Sequence, residues 1–330
     1  MWQRGPTVYA PLPYSAAFAA RLAVPRISVP SLPPSCAEPR SSFAGQAGDV
    51  DAYLAGREAA FTDIIPGTEK CVAWAGAPGV KTPLAIVYTH GWQGSRQEYV
   101  PVFDLVAREL RANVYYARLT GHGRGGEAIK DATLEDWLAD MTEAYQIGRR
   151  IGERVILAAP SMGANLSLWL ASHRPPELAA LVLISAAIQP AVKLSELLLL
   201  PSPFREAILH MAVGKYFPSP KIGERHARFN PPRYRAEGAI PLMATVKLVR
   251  DLDVQSITTP SLWIYAERDR VIDVRHLKKA YNRIGGRPKR LVHIARAKGH
   301  NLAGDMFQPE TTAEVVSETL AFLSHLDGGS

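Results

Sequence analysis

The stretch Arg154–Ala164, RVILAAPSMGA, decides the fold, because an apolar run leads there directly into a serine and a glycine. Residues Arg154–Ala159 are apolar without alternation, which is typical of a fully buried strand in a parallel sheet. A helical pattern begins at Gly163, so Ser161 falls on a sharp turn that admits only small residues two positions away. Ala159 and Gly163 meet that condition, and no other serine in the chain has glycine or alanine at both positions.

Similar apolar runs occur on both sides of this stretch and alternate with helical patterns. The further predicted strands are Leu84–Thr89, Asn113–Arg118, Ala179–Ser185, Ser261–Ala266 and Lys289–Ile294. The predicted helices are Val100–Leu110, Leu134–Ile151, Gly163–Ser172, Val274–Ile284 and Thr311–Leu326. This alternation predicts an α/β fold with a mostly parallel, twisted sheet covered by helices on both faces.

The chain divides into three predicted parts. Residues 1–48 form an extension rich in Pro, Ala and Ser, which is expected to lie extended on the surface or to be disordered. Residues 49–186 and 257–330 form the α/β core, and residues 187–256 form a helical cap or lid over the sheet. The cap helices are expected at Leu194–Leu200, Phe204–Val213 and Ala239–Leu252, with ordinary core helices as the alternative.

Ser161 is the candidate nucleophile, and two backbone groups are candidates for stabilising an oxyanion. The N–H of Met162 lies at the start of a helix, where the helix dipole favours negative charge. His90-Gly91-Trp92 follows the strand Leu84–Thr89, and a turn there can supply the Trp92 N–H as a second donor. The simpler interpretations are a helix N-cap for Ser161 and a plain loop turn at His90 and Gly91.

A serine hydroxyl needs a base to remove its proton, and the base needs a carboxylate to orient it. His300 is the candidate base, because it follows the last strand and precedes the final helix. Asp269, just after the strand Ser261–Ala266, is the preferred acid, and Asp273 and Glu267 are the alternatives. A surface histidine and surface ion pairs with neighbouring arginines remain the functionally neutral interpretations.

Ser161, Asp269 and His300 occur in the order nucleophile, acid, histidine, which is the order found in the α/β-hydrolase fold. The chain also resembles this superfamily in several short segments, above all its branch of carboxylesterases and monoacylglycerol lipases with a helical cap. The matching segments are Tyr88–Trp92 (YTHGW), Arg118–Gly123 (RLTGHG), Ala159–Ala164 (APSMGA), Tyr265–Ile272 (YAERDRVI) and Lys298–Asn301 (KGHN). One departure is Ala159, where members of the family commonly have glycine.

This resemblance implies a serine esterase or lipase that needs no cofactor and no metal. The expected substrate is a small ester with an apolar acyl or alcohol group, and Trp92 and Met162 are expected to contact it. A thioesterase, an amidase, a carbon–carbon bond hydrolase or an acyltransferase would use the same residues. A hydrolase-like binding protein without activity is the alternative from another class.

Composition excludes several other classes of protein. The formal charge of +7 arises from 38 basic and 31 acidic residues without a concentrated basic patch, so no nucleic-acid partner is expected. No apolar run is long enough to form an integral membrane segment. We expect a cytoplasmic protein, while the basic N-terminal segment leaves export or membrane association open. Whether Cys36 and Cys71 are bonded, and the oligomeric state, stay undetermined.

Overall fold

The protein is built around a seven-stranded sheet flanked by helices. The computed structural model describes residues 49–199, 205–220 and 222–327, so the predicted extension 1–48 lies outside the described residues. The strands are β1 Cys71–Ala73, β2 Thr82–Tyr88, β3 Asn113–Tyr116, β4 Gly152–Pro160, β5 Leu178–Ile184, β6 Tyr216–Pro218, β7 Arg233–Arg235, β8 Ser261–Tyr265 and β9 Lys289–His293. The helices are α1 Asp49–Glu58, α2 Val102–Leu110, α3 Leu134–Ile151, α4 Ser161–Ser172, α5 Arg205–Val213, α6 Glu224–Phe229, α7 Ala239–Asp251, α8 Val274–Arg283 and α9 Thr312–Asp327.

The large sheet has the strand order β1-β3-β2-β4-β5-β8-β9. Its six long strands pair in parallel, and β1 is antiparallel to β3 at one edge. All six apolar runs recognised in the sequence are strands of this sheet, and the prediction of a mostly parallel sheet is confirmed. β1 was not predicted, because three residues at a sheet edge are too few to show a pattern.

Apolar residues fill both faces of the sheet, because successive residues of a strand point to opposite sides. In β4, Val155 and Leu157 pack into a core cluster with α1, α3, α4 and α8. Ile156 and Ala158 face the other way, into a cluster with α2 and α9. This arrangement explains why the strands lack alternation in the sequence. Among the described helices, none is both long enough and apolar enough to cross a bilayer.

The predicted cap interval between β5 and β8 is only partly helical. It contains α5, α6 and α7 and a 3₁₀ helix at Lys193–Leu199, but also the antiparallel pair β6 and β7. The sequence analysis found no convincing strand there, because both strands have only three residues and Arg, Tyr and Pro dominate them. The ends predicted for two cap helices, Leu200 and Phe204, lie outside the described residues.

Two contacts join this insertion to the core. The Tyr234 hydroxyl at β7 donates a hydrogen bond to the Gln93 carbonyl at 3.1 Å, in the loop after β2. The rings of Trp92 and Phe217 meet edge to face, with their centroids 5.5 Å apart. The insertion therefore packs on the His90–Gly94 loop at the carboxyl end of β2.

Candidate active site

Ser161 lies in the turn between β4 and α4. Its φ angle is +52°, in the left-handed region that a residue with a side chain adopts only when its surroundings enforce it. The turn is tight because α4 passes directly over the end of β2. A Cβ atom on Gly163 would lie only 2.3 Å from the Thr89 carbonyl oxygen and 2.7 Å from that of His90. The requirement for a small residue after the serine is thus a steric consequence of this crossing.

The loop after β2 holds one peptide plane in a fixed orientation. The carbonyl oxygen of Gly91 accepts hydrogen bonds from His90 Nδ1 at 2.8 Å and from the Gly94 N–H at 3.0 Å. The bond between Gly91 and Trp92 is trans, so the Trp92 N–H points away from that carbonyl. A Cβ atom on Gly91 would lie 3.3 Å from Ser161 Cβ, which shows that this peptide lies directly beside the serine.

His90 performs this orienting role as a neutral, buried ring. Its Nε2 accepts the Leu119 N–H at 3.1 Å, so its proton is on Nδ1 and is donated to Gly91. Burial lowers the pKa of His90 to about 4 and keeps the ring uncharged. His122, from the glycine-rich turn of the sequence, stacks on His90 at 4.8 Å, and Trp137 packs behind it at 5.6 Å.

Asp269 and His300 form a hydrogen-bonded pair on neighbouring loops after β8 and β9. The distance between His300 Nδ1 and Asp269 Oδ2 is 2.7 Å. The other oxygen of Asp269 accepts the N–H groups of Val271 at 2.8 Å and Ile272 at 3.2 Å. Burial alone would raise the pKa of Asp269, but these bonds and the His300 interaction hold it below its usual value. The carboxylate therefore stays ionised although its side chain is fully buried.

The two alternative acids have other partners. Asp273 accepts the Arg275 N–H at 3.0 Å as the N-cap of α8 and also pairs with the Arg275 guanidinium at 2.7 Å. Glu267 pairs with Lys278 at the surface. Of the three candidate acids, Asp269 is the one whose carboxylate binds His300.

Two further side chains hold the His300 loop, and sequence reasoning did not find either of them. The Ser185 hydroxyl, just after β5, donates to the His300 carbonyl at 2.8 Å. The Tyr99 hydroxyl accepts the Leu302 N–H at 3.1 Å. The position of Ser185 at a strand end could have suggested a role, because strand ends of a parallel sheet share one edge, whereas Tyr99 carries no such signal.

Glu98 is another residue that the sequence analysis missed. It lies in a 3₁₀ helix at Arg96–Tyr99, and its side chain is buried against the loop at Gly91. Burial raises the pKa of Glu98 to about 7, against the opposing effects of the Gly91 hydrogen bond and of His300. Nothing in the sequence separates this glutamate from an ordinary exposed loop residue.

A cavity of about 110 Å³ opens beside the loop at Gly91, between the core and the insertion. Its lining mixes polar and apolar side chains, contributed by Trp92, Gln93, Ser95, Glu98, Ser219, Pro220, His226, Asn230, Tyr234, Asn301, Met306 and Phe307. Trp92 therefore lies where contact with a substrate was expected. Met162 does not, because its side chain is fully buried in the core cluster on the α3 and α4 side. The expected substrate contact of the Met162 side chain is therefore corrected, and only its backbone position at the helix start stays relevant.

The fold and this edge of the sheet define an α/β-hydrolase of the lipase and esterase type. The parallel strand order, the strained serine at the strand–helix turn and the acid–histidine pair on later loops characterise this class. The family can be stated more narrowly. The chain belongs to the family described as serine aminopeptidase, S33, whose profile matches residues 81–306.

Individual relatives agree with this assignment. A stretch of 111 residues is 31% identical to a thermostable monoacylglycerol lipase from Bacillus sp. (strain H-257), covering 33% of this chain and 44% of that protein. A solved structure from work on two metagenome-derived lipolytic enzymes, LipS and LipT, has a TM-score of 0.64 at 21% identity and covers 79% of this chain and 99% of its own. The monoacylglycerol lipase of Paleococcus ferrophilus has a TM-score of 0.55 at 16% identity, with 78% and 99% coverage. The structural likenesses show the shared fold.

Proposed function

We propose that this protein is a serine hydrolase that cleaves carboxylic esters through an acyl-enzyme intermediate. The observation that carries the proposal is the buried Asp269–His300 hydrogen bond at the sheet edge where the strained Ser161 begins α4. A carboxylate that stays ionised fixes the histidine tautomer, so that Nδ1 carries a proton and Nε2 is free to accept one. That is the arrangement in which His300 can act as a general base.

The reaction proceeds in two acyl-transfer steps. His300 Nε2 takes the hydroxyl proton as Ser161 Oγ attacks the ester carbonyl, and the N–H groups of Trp92 and Met162 stabilise the oxyanion. Collapse of this intermediate breaks the ester bond, and the proton on His300 passes to the departing alcohol. Water then attacks the acyl-enzyme with His300 as base again, which releases the acid and restores the Ser161 hydroxyl.

The substrate follows from the insertion and from the relatives. We propose that residues 187–256 act as a cap, because Phe217 and Tyr234 contact the loop that carries the Trp92 N–H. The similarity to a monoacylglycerol lipase supports an ester with an apolar acyl or alcohol group. The polar part of the cavity lining, including Asn230 and Ser219, suits the less apolar end of such an ester.

Steady-state kinetics on p-nitrophenyl esters of increasing chain length test this proposal. We expect Ser161→Ala to lower kcat about 10⁶-fold, the scale observed when a triad serine is removed from a serine hydrolase. Ser167→Ala is the matched control, because Ser167 lies in the same helix and its hydroxyl only donates to the Gly163 carbonyl. Substantial activity in Ser161→Ala, or equal losses in both variants, would refute the proposal. A parallel series of thioesters and anilides identifies the preferred bond.

A further inference from the structure

The loop that presents the Trp92 N–H is held from two sides, and the second support is a carboxylate. Glu98 Oε2 accepts the Gly91 N–H at 2.9 Å and the Tyr88 hydroxyl at 3.4 Å. His90 Nδ1 holds the carbonyl of the same residue, Gly91, at 2.8 Å. Both polar groups of Gly91 are therefore bound, one by a neutral imidazole and one by Glu98.

The glycines of this loop leave room for the carboxylate. A Cβ atom on Gly94 would lie 2.6 Å from Glu98 Oε2, and one on Gly91 would lie 3.2 Å from Oε1. The Glu98 carboxylate thus lies between the two glycines, close behind Ser161. Its own backbone is fixed by a 3₁₀ turn in which the Glu98 N–H donates to the Ser95 carbonyl at 3.0 Å.

We propose that Glu98 is a positioning residue, which fixes the Gly91 peptide through its N–H and so keeps the Trp92 N–H directed at the substrate carbonyl. This inference rests on the proposed serine-hydrolase function. Without an acceptor at position 98, the Gly91 N–H would be buried without a partner, and the loop would rearrange to satisfy it. Such a rearrangement rotates the next peptide, which carries the proposed oxyanion donor.

The test compares a variant that keeps the acceptor with one that removes it. Glu98→Gln retains a carbonyl oxygen at the same length, whereas Glu98→Met retains the length without a comparable acceptor. We expect Glu98→Met to lower kcat about 10²–10³-fold with KM nearly unchanged, because an oxyanion donor acts mainly in the transition state. Glu98→Gln should stay within about tenfold of the wild type, since it restores the hydrogen bond.

Glu143→Gln and Glu143→Met are the matched controls. Glu143 is also a largely buried carboxylate with several partners, Lys70 and Tyr53 among them, but it lies on α3 away from the loop. These variants should be less stable and keep the wild-type kcat per folded molecule, as judged by active-site titration and circular dichroism. A merely structural role of Glu98 predicts this same behaviour for the Glu98 variants.

Two results would overturn the inference. One is a folded Glu98→Met protein with the wild-type kcat. The other is a loss of 10²-fold or more in Glu98→Gln, which would assign the effect to the charge and is decisive even when Glu98→Met does not fold. Failure of the proposed function is recognised separately, because it would leave Ser161→Ala active whatever the Glu98 variants do.

Discussion

Asp269 shows how a single residue combines stability with a catalytic requirement. Its two oxygens have different partners: one accepts the backbone N–H groups of Val271 and Ile272, and the other binds His300. The backbone bonds fix the carboxylate before the histidine is considered. The result is a rigid acceptor that defines which nitrogen of His300 carries the proton.

Asp269→Asn should therefore impair catalysis without unfolding the protein. The amide can donate to His300 Nδ1 and so stabilise the wrong tautomer, and we expect kcat to fall about 10³–10⁴-fold, as for other triads that lose this charge. Asp273→Asn is the control, because it changes an acid that caps α8 and pairs with Arg275. Ester hydrolysis by the two purified variants measures the effect, and similar rates for both would argue against Asp269 as the orienting acid.

Glu98 should make the stability of the protein depend on pH near neutrality. Its pKa is about 7 in the folded protein and near 4.5 when exposed, so its contribution is fully present below pH 4.5 and is lost as the pH rises through 7. A shift of this size corresponds to roughly 3 kcal/mol. The other titratable groups facing it are His300, Tyr88, Tyr99 and Tyr234, and burial raises the pKa of all three tyrosines, which therefore stay neutral.

Urea unfolding at pH 5 and pH 8 checks this expectation. The difference in unfolding free energy between Glu98→Gln and the wild type should move in favour of the variant on going to pH 8. Because the glutamine does not titrate, the comparison removes the contributions of all other groups. A difference that stays constant with pH would show that Glu98 titrates normally.

Among the elements, the crossing of α4 over the end of β2 controls the site. Gly163 permits this crossing, because any side chain there would meet the carbonyl groups of Thr89 and His90. The same two residues begin the loop that orients the Trp92 N–H. The turn that exposes Ser161 and the loop beside it are therefore mechanically connected.

Gly163→Ala should destabilise the protein by about 1–3 kcal/mol through overpacking, and it should reduce activity in the folded fraction as well. Gly56→Ala is the control within another helix, since a Cβ atom there meets nothing within 4 Å. Alanine at that position is expected to stabilise α1 by roughly 0.5–1 kcal/mol. Thermal or urea unfolding of both variants provides the measurement, and a neutral Gly163→Ala would contradict the proposed steric constraint.

The long elements could be predicted from the sequence, and the short ones could not. α3 was expected at Leu134–Ile151 and has these bounds, because its apolar positions repeat regularly and Thr133 with Asp136 forms a capping box. β1, β6 and β7 have three residues each and depend on partners distant in the chain. α1 was also missed, since its weak amphipathic pattern is compensated by contacts such as the Glu58–Arg118 ion pair.

At the scale of the whole molecule, the parallel sheet gathers residues from distant parts of the chain. β2, β4, β8 and β9 all end at the same edge, so the loops that carry Trp92, Ser161, Asp269 and His300 meet there. Their positions after strands made these residues predictable. Glu98, Tyr99 and Ser185 support the same loops through contacts that only the folded chain creates, which is why the sequence did not reveal them.

The central claim is that Ser161 is the nucleophile, and covalent labelling tests it most directly. The native protein is treated with a fluorophosphonate, digested, and the modified peptide is identified by mass spectrometry. We expect one equivalent of phosphonate per chain, attached to Ser161, and no labelling of Ser161→Ala. An adduct on another residue, or a wild-type protein that is fully folded and does not react, would contradict the account.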